Sequence, residues 1–209
     1  METLIADRIV TVNVDVQNDF LPGGSLAVTD GDKVIDILND VNDYTRSLGG
    51  TVVFTGDQHP DETPHFDIWP KHCVAGTEGA ALADTLEVLP TDMIIDKGME
   101  QTNGYSAAEG VTENGQTLEA IVQPVGRERV IVLMGGLATD YCVEASALDT
   151  LKFNASEGAI TVLVIRDAIR AVNIHPDDGD KAIARMQAAG AIIIDSVDVL
   201  AGRAFELAV

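Results

Sequence analysis

The sequence has few basic residues, few aromatic residues, only two cysteines and no long hydrophobic run. Its 209 residues carry 13 Lys and Arg against 34 Asp and Glu, which gives a formal net charge of −21. This surplus of carboxylates argues against nucleic acids and anionic membranes as partners, because like charges repel. The longest apolar runs have the length of strands and fall short of the ~20 residues that a membrane-spanning helix needs. We therefore expect no membrane partner.

The beginning of the chain and the cysteines indicate a cytoplasmic protein that acts on a small molecule. Residues 1–20 contain four carboxylates and lack the basic start and apolar block of a secretory signal. In a reducing compartment Cys73 and Cys142 are better explained as metal-linked or catalytic thiols than as a disulfide. The hydrophobic content of 46% excludes global disorder.

Short apolar, β-branched segments alternate with segments of helical periodicity along most of the chain. The predicted strands are 8–14, 51–55, 93–96, 129–134, 159–165 and 191–194. The predicted helices are 32–48, 139–152, 178–189 and 197–207. Near-continuous apolar strands indicate a parallel sheet that is covered on both faces. We predict an α/β fold: a single three-layer α/β/α domain over residues 1–209, with a parallel sheet of about six strands.

Two segments lack any periodicity, namely 57–79 and 98–115. The first contains several prolines and glycines, three of the four histidines and the only tryptophan. Loops of more than ~15 residues inside a compact domain are usually functional or disordered. The concentration of histidines favours function for this loop.

Residues whose side chains can take part in catalysis follow the predicted strands. Asp15 follows the first strand, Lys97 the third, and Cys142 lies in the first turn of the helix after the fourth. Ligands of open parallel sheets bind beyond the carboxyl ends of the strands. A helix start and a nearby Lys97 would favour a thiolate at Cys142, and Asp15 could carry its proton. The three residues suit acyl transfer if they meet in space.

The irregular segment 57–79 supplies a second group of side chains. Asp57, His59, His65 and His72 offer one carboxylate and three imidazoles within a short stretch. These ligands suit Zn²⁺, Mn²⁺ or Fe²⁺ in a site with open positions. A single loop histidine is usually only exposed to solvent, so the argument depends on their clustering. Cys73, beside His72, is better explained as a packed thiol than as a ligand.

Several motifs occur together in the order found in one enzyme family. They are VDVQNDF at 14–20, PGGSL at 22–26, DQHP at 57–60, HF at 65–66, WPKHCV at 69–74, KG at 97–98, GYSA at 104–107 and GLATDYCV at 136–143. On these residues the chain resembles the nicotinamidases of the isochorismatase-like cysteine hydrolase superfamily. The resemblance covers roughly residues 8–170.

The resemblance implies a role for individual residues. It implies that Cys142 is the nucleophile, that Asp15 is the general base and then acid, and that Lys97 is the cation that holds the pair. The implied oxyanion hole consists of the amides of Ala138 and Cys142, with a cis peptide bond between Leu137 and Ala138. The implied ligands of one divalent metal ion (Zn²⁺, Fe²⁺ or Mn²⁺) are Asp57, His59, His65 and His72. The implied walls for an aromatic substrate are Phe20, Trp69, Tyr105 and Tyr141.

The resemblance further implies hydrolysis of nicotinamide to nicotinate and ammonia through a thioester on Cys142, as a step of NAD salvage. Pyrazinamide is expected as a related substrate, and the family allows a homodimer. One alternative is a metal-independent amidohydrolase of the same superfamily that acts on an N-carbamoyl or similar small amide. An isochorismatase proper is disfavoured, because a non-thiol residue would be expected there at position 142. A metal-binding or redox-sensing module without turnover is the non-enzymatic alternative.

Overall fold

The computed structural model of the chain describes residues 4–99, 103–154 and 159–208. The strands in these ranges are β1 (Leu4–Ala6), β2 (Arg8–Val14), β3 (Thr51–Asp57), β4 (Met93–Lys97), β5 (Val111–Thr112), β6 (Val130–Leu137), β7 (Ile160–Arg170), β8 (Ile192–Ile194) and β9 (Phe205–Leu207). The α-helices are α1 (Ile35–Ser47), α2 (Leu118–Val122), α3 (Glu144–Lys152), α4 (Asp178–Ala188) and α5 (Ser196–Leu200). Short 3₁₀ turns occupy Asn18–Phe20, Gly31–Val34, Pro64–Asp67 and Ala107–Glu109.

Seven strands form one sheet in the order β5-β4-β3-β2-β6-β7-β8. All neighbours in this sheet are parallel except β4 and β5. The six strands predicted from the sequence are consecutive in this order, so the prediction of an α/β fold with a parallel sheet is confirmed. The seventh strand, β5, has only two residues, too few to give a pattern in the sequence.

Helices cover both faces of the sheet, and strand side chains that point to either face are buried. Along β2, Ile9 packs in a core with residues of α1 and α5. Val10, Val12 and Val14 pack in a second core with residues of α2, α3 and α4. Two separate cores on opposite faces are the arrangement expected for a parallel sheet. They give the three layers that the sequence predicts.

The prediction of a helix over 197–207 is wrong beyond residue 200. Helix α5 ends at Leu200, and Gly202 follows with a left-handed φ of 65°. Residues Phe205–Leu207 then form β9, which pairs in parallel with β1. The partner strand lies at the other end of the chain, so local periodicity carries no information about this pairing.

The predicted helix 139–152 begins differently from an ordinary α-helix. Its first five residues, Thr139–Val143, form a π turn in which the Val143 N–H donates to Ala138 O at 3.1 Å. Helix α3 follows directly. Single π turns of this kind occur frequently at functional sites. Within the ranges that the structure describes, none of the helices has the length and apolar character needed to cross a membrane.

Candidate active site

The carboxyl ends of three adjacent strands bring two carboxylates and one ammonium group together. Asp15 directly follows β2, while Asp57 and Lys97 end β3 and β4, where they are register partners. Cys142 comes from the π turn that follows β6. All four side chains are buried. The structure therefore places the acid, the base and the thiol predicted from the sequence at one edge of the sheet.

Lys97 is at the centre of this group. Its Nζ lies 2.8 Å from Asp15 Oδ2 and 2.5 Å from Asp57 Oδ1. The same atom donates to Gly104 O at 2.9 Å and lies 3.7 Å from Cys142 Sγ. One oxygen of each carboxylate and the Cys142 sulfur all lie within 4.8 Å of one another. A proton can therefore move between the sulfur and a carboxylate without rearrangement of the backbone.

The electrostatics of the site follow from burying two anions with one cation. Burial alone would lower the pKa of Lys97, but Asp15 and Asp57 raise it well above its ordinary value. Burial also opposes the charge on Asp57, yet Lys97 and the contact with His59 lower its pKa to about 2. For Asp15, burial outweighs the effect of Lys97 and raises the pKa. Asp15 is therefore the carboxylate of the pair that more readily takes a proton.

The Cys142 thiol is not pre-ionised by its surroundings. Burial raises its pKa well above the ordinary value, both carboxylates raise it further, and Lys97 offsets only a part. Lys97 thus favours the thiolate, as the sequence predicts, but the other surroundings of Cys142 oppose it. Desolvation and two nearby anions outweigh one cation. A thiol in these surroundings needs a base in order to act as a nucleophile, and Asp15 is within reach.

Three histidines of the segment 57–79 converge beside Asp57. One ring nitrogen from each of His59, His65 and His72 lies within 4.8 Å of the others, and all three side chains are buried. His59 Nε2 is 3.6 Å from Asp57 Oδ2. One oxygen of Asp57 thus contacts Lys97 and the other faces the histidines.

Each of these imidazoles has an oxygen acceptor at Nδ1. The pairs are His59 with Gly98 O at 3.1 Å, His65 with Asn103 Oδ1 at 3.3 Å, and His72 with Pro70 O at 2.7 Å. A carbonyl oxygen only accepts, so Nδ1 carries the proton and Nε2 keeps its lone pair. His59 Nε2 is buried and has no hydrogen-bond partner among the described residues. An orphaned nitrogen of this kind, with two further imidazoles and a carboxylate, fits a divalent metal ion.

The pKa shifts of the histidines agree with metal binding. Burial lowers the pKa of His65 and of His72, and the neighbouring His59 lowers both further. Neutral imidazole is the form that binds a metal ion. Two of the three histidines are therefore held in the ligating form.

Asp19 connects the histidine segment to the loop that contains Ser25. Its Oδ2 accepts the N–H of Cys73 at 2.7 Å, and its Oδ1 accepts the N–H of Ser25 at 3.3 Å. Gly79 allows this arrangement, since a Cβ there would lie 2.2 Å from Asp19 Oδ2. The carboxylate holds the loop that carries His72 in place, a role that the sequence did not reveal.

Aromatic side chains line the pocket into which Cys142 opens. Phe20, Trp69, Tyr105 and Tyr141, predicted as walls for a flat ring, all lie there. Trp69 Nε1 donates to Tyr105 Oη at 3.0 Å, and the Trp69 ring packs edge to face on Tyr141 with 5.0 Å between centroids. These contacts fix the ring planes, so the pocket is pre-formed for an aromatic ligand.

Three aliphatic pocket residues were not predicted from the sequence. They are Leu26, Val28 and Val172. Leu26 belongs to the PGGSL motif, which contributes to the family resemblance, but the motif predicted no role for Leu26. Val172 gave no signal in the sequence, because it lies far along the chain from the other lining residues; the Oδ1 of Asp140 accepts its N–H at 2.9 Å.

The end of β6 and the π turn after it bring two further residues to the same pocket. Ala138 and Cys142, the residues predicted for an oxyanion hole, both line it. The peptide bond between Leu137 and Ala138 is cis, as the resemblance implies. Gly136 lets this segment approach β2 closely, since a Cβ there would lie 2.1 Å from Val14 O.

Comparison with known proteins gives one consistent family. The profile of the isochorismatase domain matches residues 10–198. The nicotinamidase of Escherichia coli K12 is 34% identical over 207 residues, which span 88% of this chain and 93% of that protein. A pyrazinamidase of Pyrococcus horikoshii in complex with zinc superposes with a TM-score of 0.76 at 34% identity, over 90% of this chain and 99% of that chain. The structure of PnC1 from L. infantum in complex with nicotinate superposes with a TM-score of 0.78 at 30% identity, over 99% of this chain and 98% of that chain.

Proposed function

The chain belongs to the isochorismatase family, and from this premise we propose that it is a metal-containing cysteine amidohydrolase that converts nicotinamide to nicotinate and ammonia. Pyrazinamide, whose ring has a similar shape, is a second substrate. The observation that carries the proposal is the position of Lys97. Its Nζ contacts both Asp15 and Asp57, the carboxylate beside the histidines, and lies 3.7 Å from the Cys142 sulfur. One buried cation thus connects the nucleophile with the residues suited to a metal.

The proposed acylation step uses Asp15 twice. Its carboxylate takes the proton of the Cys142 thiol as the sulfur attacks the carboxamide carbon and a C–S bond forms. The carbonyl oxygen becomes an oxyanion, which the amides of Ala138 and Cys142 stabilise. When the intermediate collapses, the C–N bond breaks and protonated Asp15 gives its proton to the nitrogen, which leaves as ammonia. A thioester of nicotinic acid remains on Cys142.

Deacylation reverses the roles of the same groups. Ionised Asp15 removes a proton from water as the water oxygen attacks the thioester carbon. The C–S bond then breaks, the sulfur recovers the proton from Asp15, and the acid leaves as nicotinate after its remaining proton passes to solvent. Lys97 stays charged throughout and balances the anions in the site.

The four residues Asp57, His59, His65 and His72 would hold the metal ion. When bound, a Zn²⁺, Fe²⁺ or Mn²⁺ ion offers a Lewis acid for the pyridine nitrogen and so orients the ring. The aromatic walls then hold the ring plane, with the carboxamide directed towards Cys142. In this proposal the nucleophile comes from Cys142 and Asp15 alone.

Two other functions are less well supported. A metal-independent hydrolase of N-carbamoyl amides would not explain the three converging histidines, of which His59 has an Nε2 without a hydrogen-bond partner in the described ranges. The similarity to nicotinamidases along most of the chain also favours nicotinamide. A metal or redox sensor without turnover is less well supported, because such a sensor does not require a buried base within reach of the thiol.

The decisive experiment measures ammonia release from nicotinamide by the purified protein. It is carried out with the protein as isolated, after chelation and metal replacement, and with Cys142→Ala. Turnover that is lost on chelation, restored by one divalent metal and absent in Cys142→Ala supports the proposal. Turnover that survives complete metal removal would favour the metal-independent alternative. No turnover with any divalent metal would refute the nicotinamide assignment.

Residues 1–209 are proposed to act as one hydrolase domain in the cytoplasm, as a step of NAD salvage. The continuous seven-stranded sheet, to which every proposed site residue is attached directly or through its loops, supports a single domain. The composition supports the location and the absence of nucleic-acid partners.

A further inference from the structure

Thr55 makes two hydrogen bonds to a single residue of the proposed catalytic group. Its Oγ1 donates to Asp15 Oδ1 at 2.6 Å and accepts the Asp15 N–H at 3.2 Å. Thr55 lies on β3, beside β2, and its side chain is fully buried. The hydroxyl has a single hydrogen to donate, and Asp15 Oδ1 accepts that hydrogen bond. Thr55 therefore fixes both the backbone and the carboxyl group of Asp15.

The two oxygens of Asp15 consequently have different surroundings. Oδ1 is occupied by the Thr55 hydroxyl. Oδ2 faces Lys97 Nζ at 2.8 Å, but it accepts no well-aligned hydrogen bond from the described residues. A proton on Oδ1 would point at the Thr55 hydroxyl hydrogen, so Oδ2 is the oxygen that can take and release a proton. This is also the side of the carboxyl group that faces the Lys97 ammonium, next to the thiol.

We propose that Thr55 is a positioning residue that makes Asp15 Oδ2 the atom through which protons move between Cys142, the leaving nitrogen and water. Thr55 does not touch the substrate, since it is absent from the lining of the pocket. It acts through Asp15 and affects the chemical steps rather than the binding of the ring. This inference rests on the proposed amidohydrolase function and adds to it the atom that carries the proton.

The test replaces Thr55 by Val, which keeps the shape and removes the hydroxyl. Asp15 then loses its fixed orientation, so we expect kcat for nicotinamide to fall about tenfold or more, a part of the ~10²–10⁴-fold that positioned acid–base catalysis supplies. KM should stay within about twofold, because ground-state binding of the ring is unchanged. Thr55→Ser retains the hydroxyl and should restore most of kcat.

Thr11 offers a matched control in the same sheet. It is fully buried on β2, and its hydroxyl pairs with that of Thr45 at 2.6 Å, away from the pocket. Thr11→Val removes a buried hydroxyl in the same way and should leave kcat and KM close to the parent values. Circular dichroism and metal content of each variant establish that fold and metal loading are retained.

The outcomes separate the inference from the function on which it rests. Parent-like kcat in Thr55→Val, or an equal loss in Thr11→Val, would overturn the role of Thr55. If Thr55→Val does not fold, the comparison moves to Thr55→Ser and Thr55→Ala, and equal losses in these two would overturn it as well. Absence of turnover in the parent protein would instead contradict the proposed function. Loss in Thr55→Val with rescue by Thr55→Ser supports the inference.

Discussion

Lys97 Nζ contacts Asp57 Oδ1 at 2.5 Å, so the cation beside the Cys142 thiol also pairs with the carboxylate that lies next to the histidine cluster. Both side chains are buried and end neighbouring strands as register partners. The proposed acyl-transfer group and the proposed metal site are therefore parts of one buried charge network. A change of charge at Lys97 must affect both.

The first prediction concerns the stability of this network. In the chelator-treated protein, Lys97→Met leaves the carboxylates of Asp15 and Asp57 buried without a cation, and removing one partner of a buried pair costs about 3–5 kcal/mol. Urea unfolding at neutral pH should show a loss of this size. Lys152→Met removes an exposed ion pair with Asp149 and serves as the control, with an expected loss below about 1 kcal/mol.

The effect of Lys97→Met should depend on pH with a definite sign. In the parent, the folded-state pKa of Asp57 is about 2, below the ordinary 3.8, so its stabilising contribution is present above 3.8 and is lost as the pH falls towards 2. In Lys97→Met the pKa of both carboxyl groups rises, and acid then stabilises the variant relative to neutral pH. The difference in unfolding free energy should shrink on acidification. A difference that is constant from neutral pH to pH 4 would contradict this account.

The second prediction concerns Asn103, whose Oδ1 is the only side-chain acceptor among the three that face a histidine Nδ1. Asn103→Ala removes the group that orients His65, and outer-shell losses of this kind typically weaken metal binding about 10–100-fold. Competition with a chelating dye measures this affinity directly. Asn103→Asp keeps an acceptor and should bind the metal ion nearly as well as the parent.

Asn39 provides a control for this measurement. Its side chain bonds the backbone of residues 85 and 87, away from the histidines. Asn39→Ala should leave metal affinity unchanged, whatever it does to stability. Equal affinity in Asn103→Ala and the parent would show that His65 needs no orienting partner.

The sequence predicted the parts of the fold that depend on local patterns and missed those that depend on distant partners. Six parallel strands were predictable because each is a nearly continuous run of apolar, mostly β-branched residues. The pairing of β9 with β1 was not, because Phe205–Leu207 fits a helix as well as a strand until its partner is known. At the site, Cys142 and Lys97 were recognisable by residue type and by position after a strand. Thr55 was not, since an interior threonine of a strand is ordinary until the structure shows its bond to Asp15.

The third prediction concerns the pH dependence of turnover. Because burial raises the pKa of Asp15, kcat/KM for nicotinamide should fall on the acid side with a midpoint above the ordinary 3.8. Protonated Asp15 cannot accept the thiol proton, so activity is lost as the pH falls through this pKa. The profile is measured in excess divalent metal, with metal content determined at each pH, to separate this limb from metal loss. A midpoint at or below 3.8 with metal retained would argue against Asp15 as the base.

The last prediction distinguishes the two cysteines, which are both buried but differ in what surrounds them. Cys142 lines the pocket, whereas Cys73 lies in the hydrophobic core with its Sγ 3.9 Å from Gly79 O. Burial strongly raises the pKa of both thiols, so access distinguishes them: Cys142 lines the pocket, and Cys73 is fully buried outside it. Iodoacetamide should therefore inactivate the protein through one label on Cys142, with nicotinate protecting it. Cys73→Ala should keep kcat within about twofold and lose only stability, since its role is packing. Mass spectrometry of the labelled protein identifies the cysteine that reacts first. A first label on Cys73 would show that this thiol is accessible and would contradict the prediction that its burial protects it.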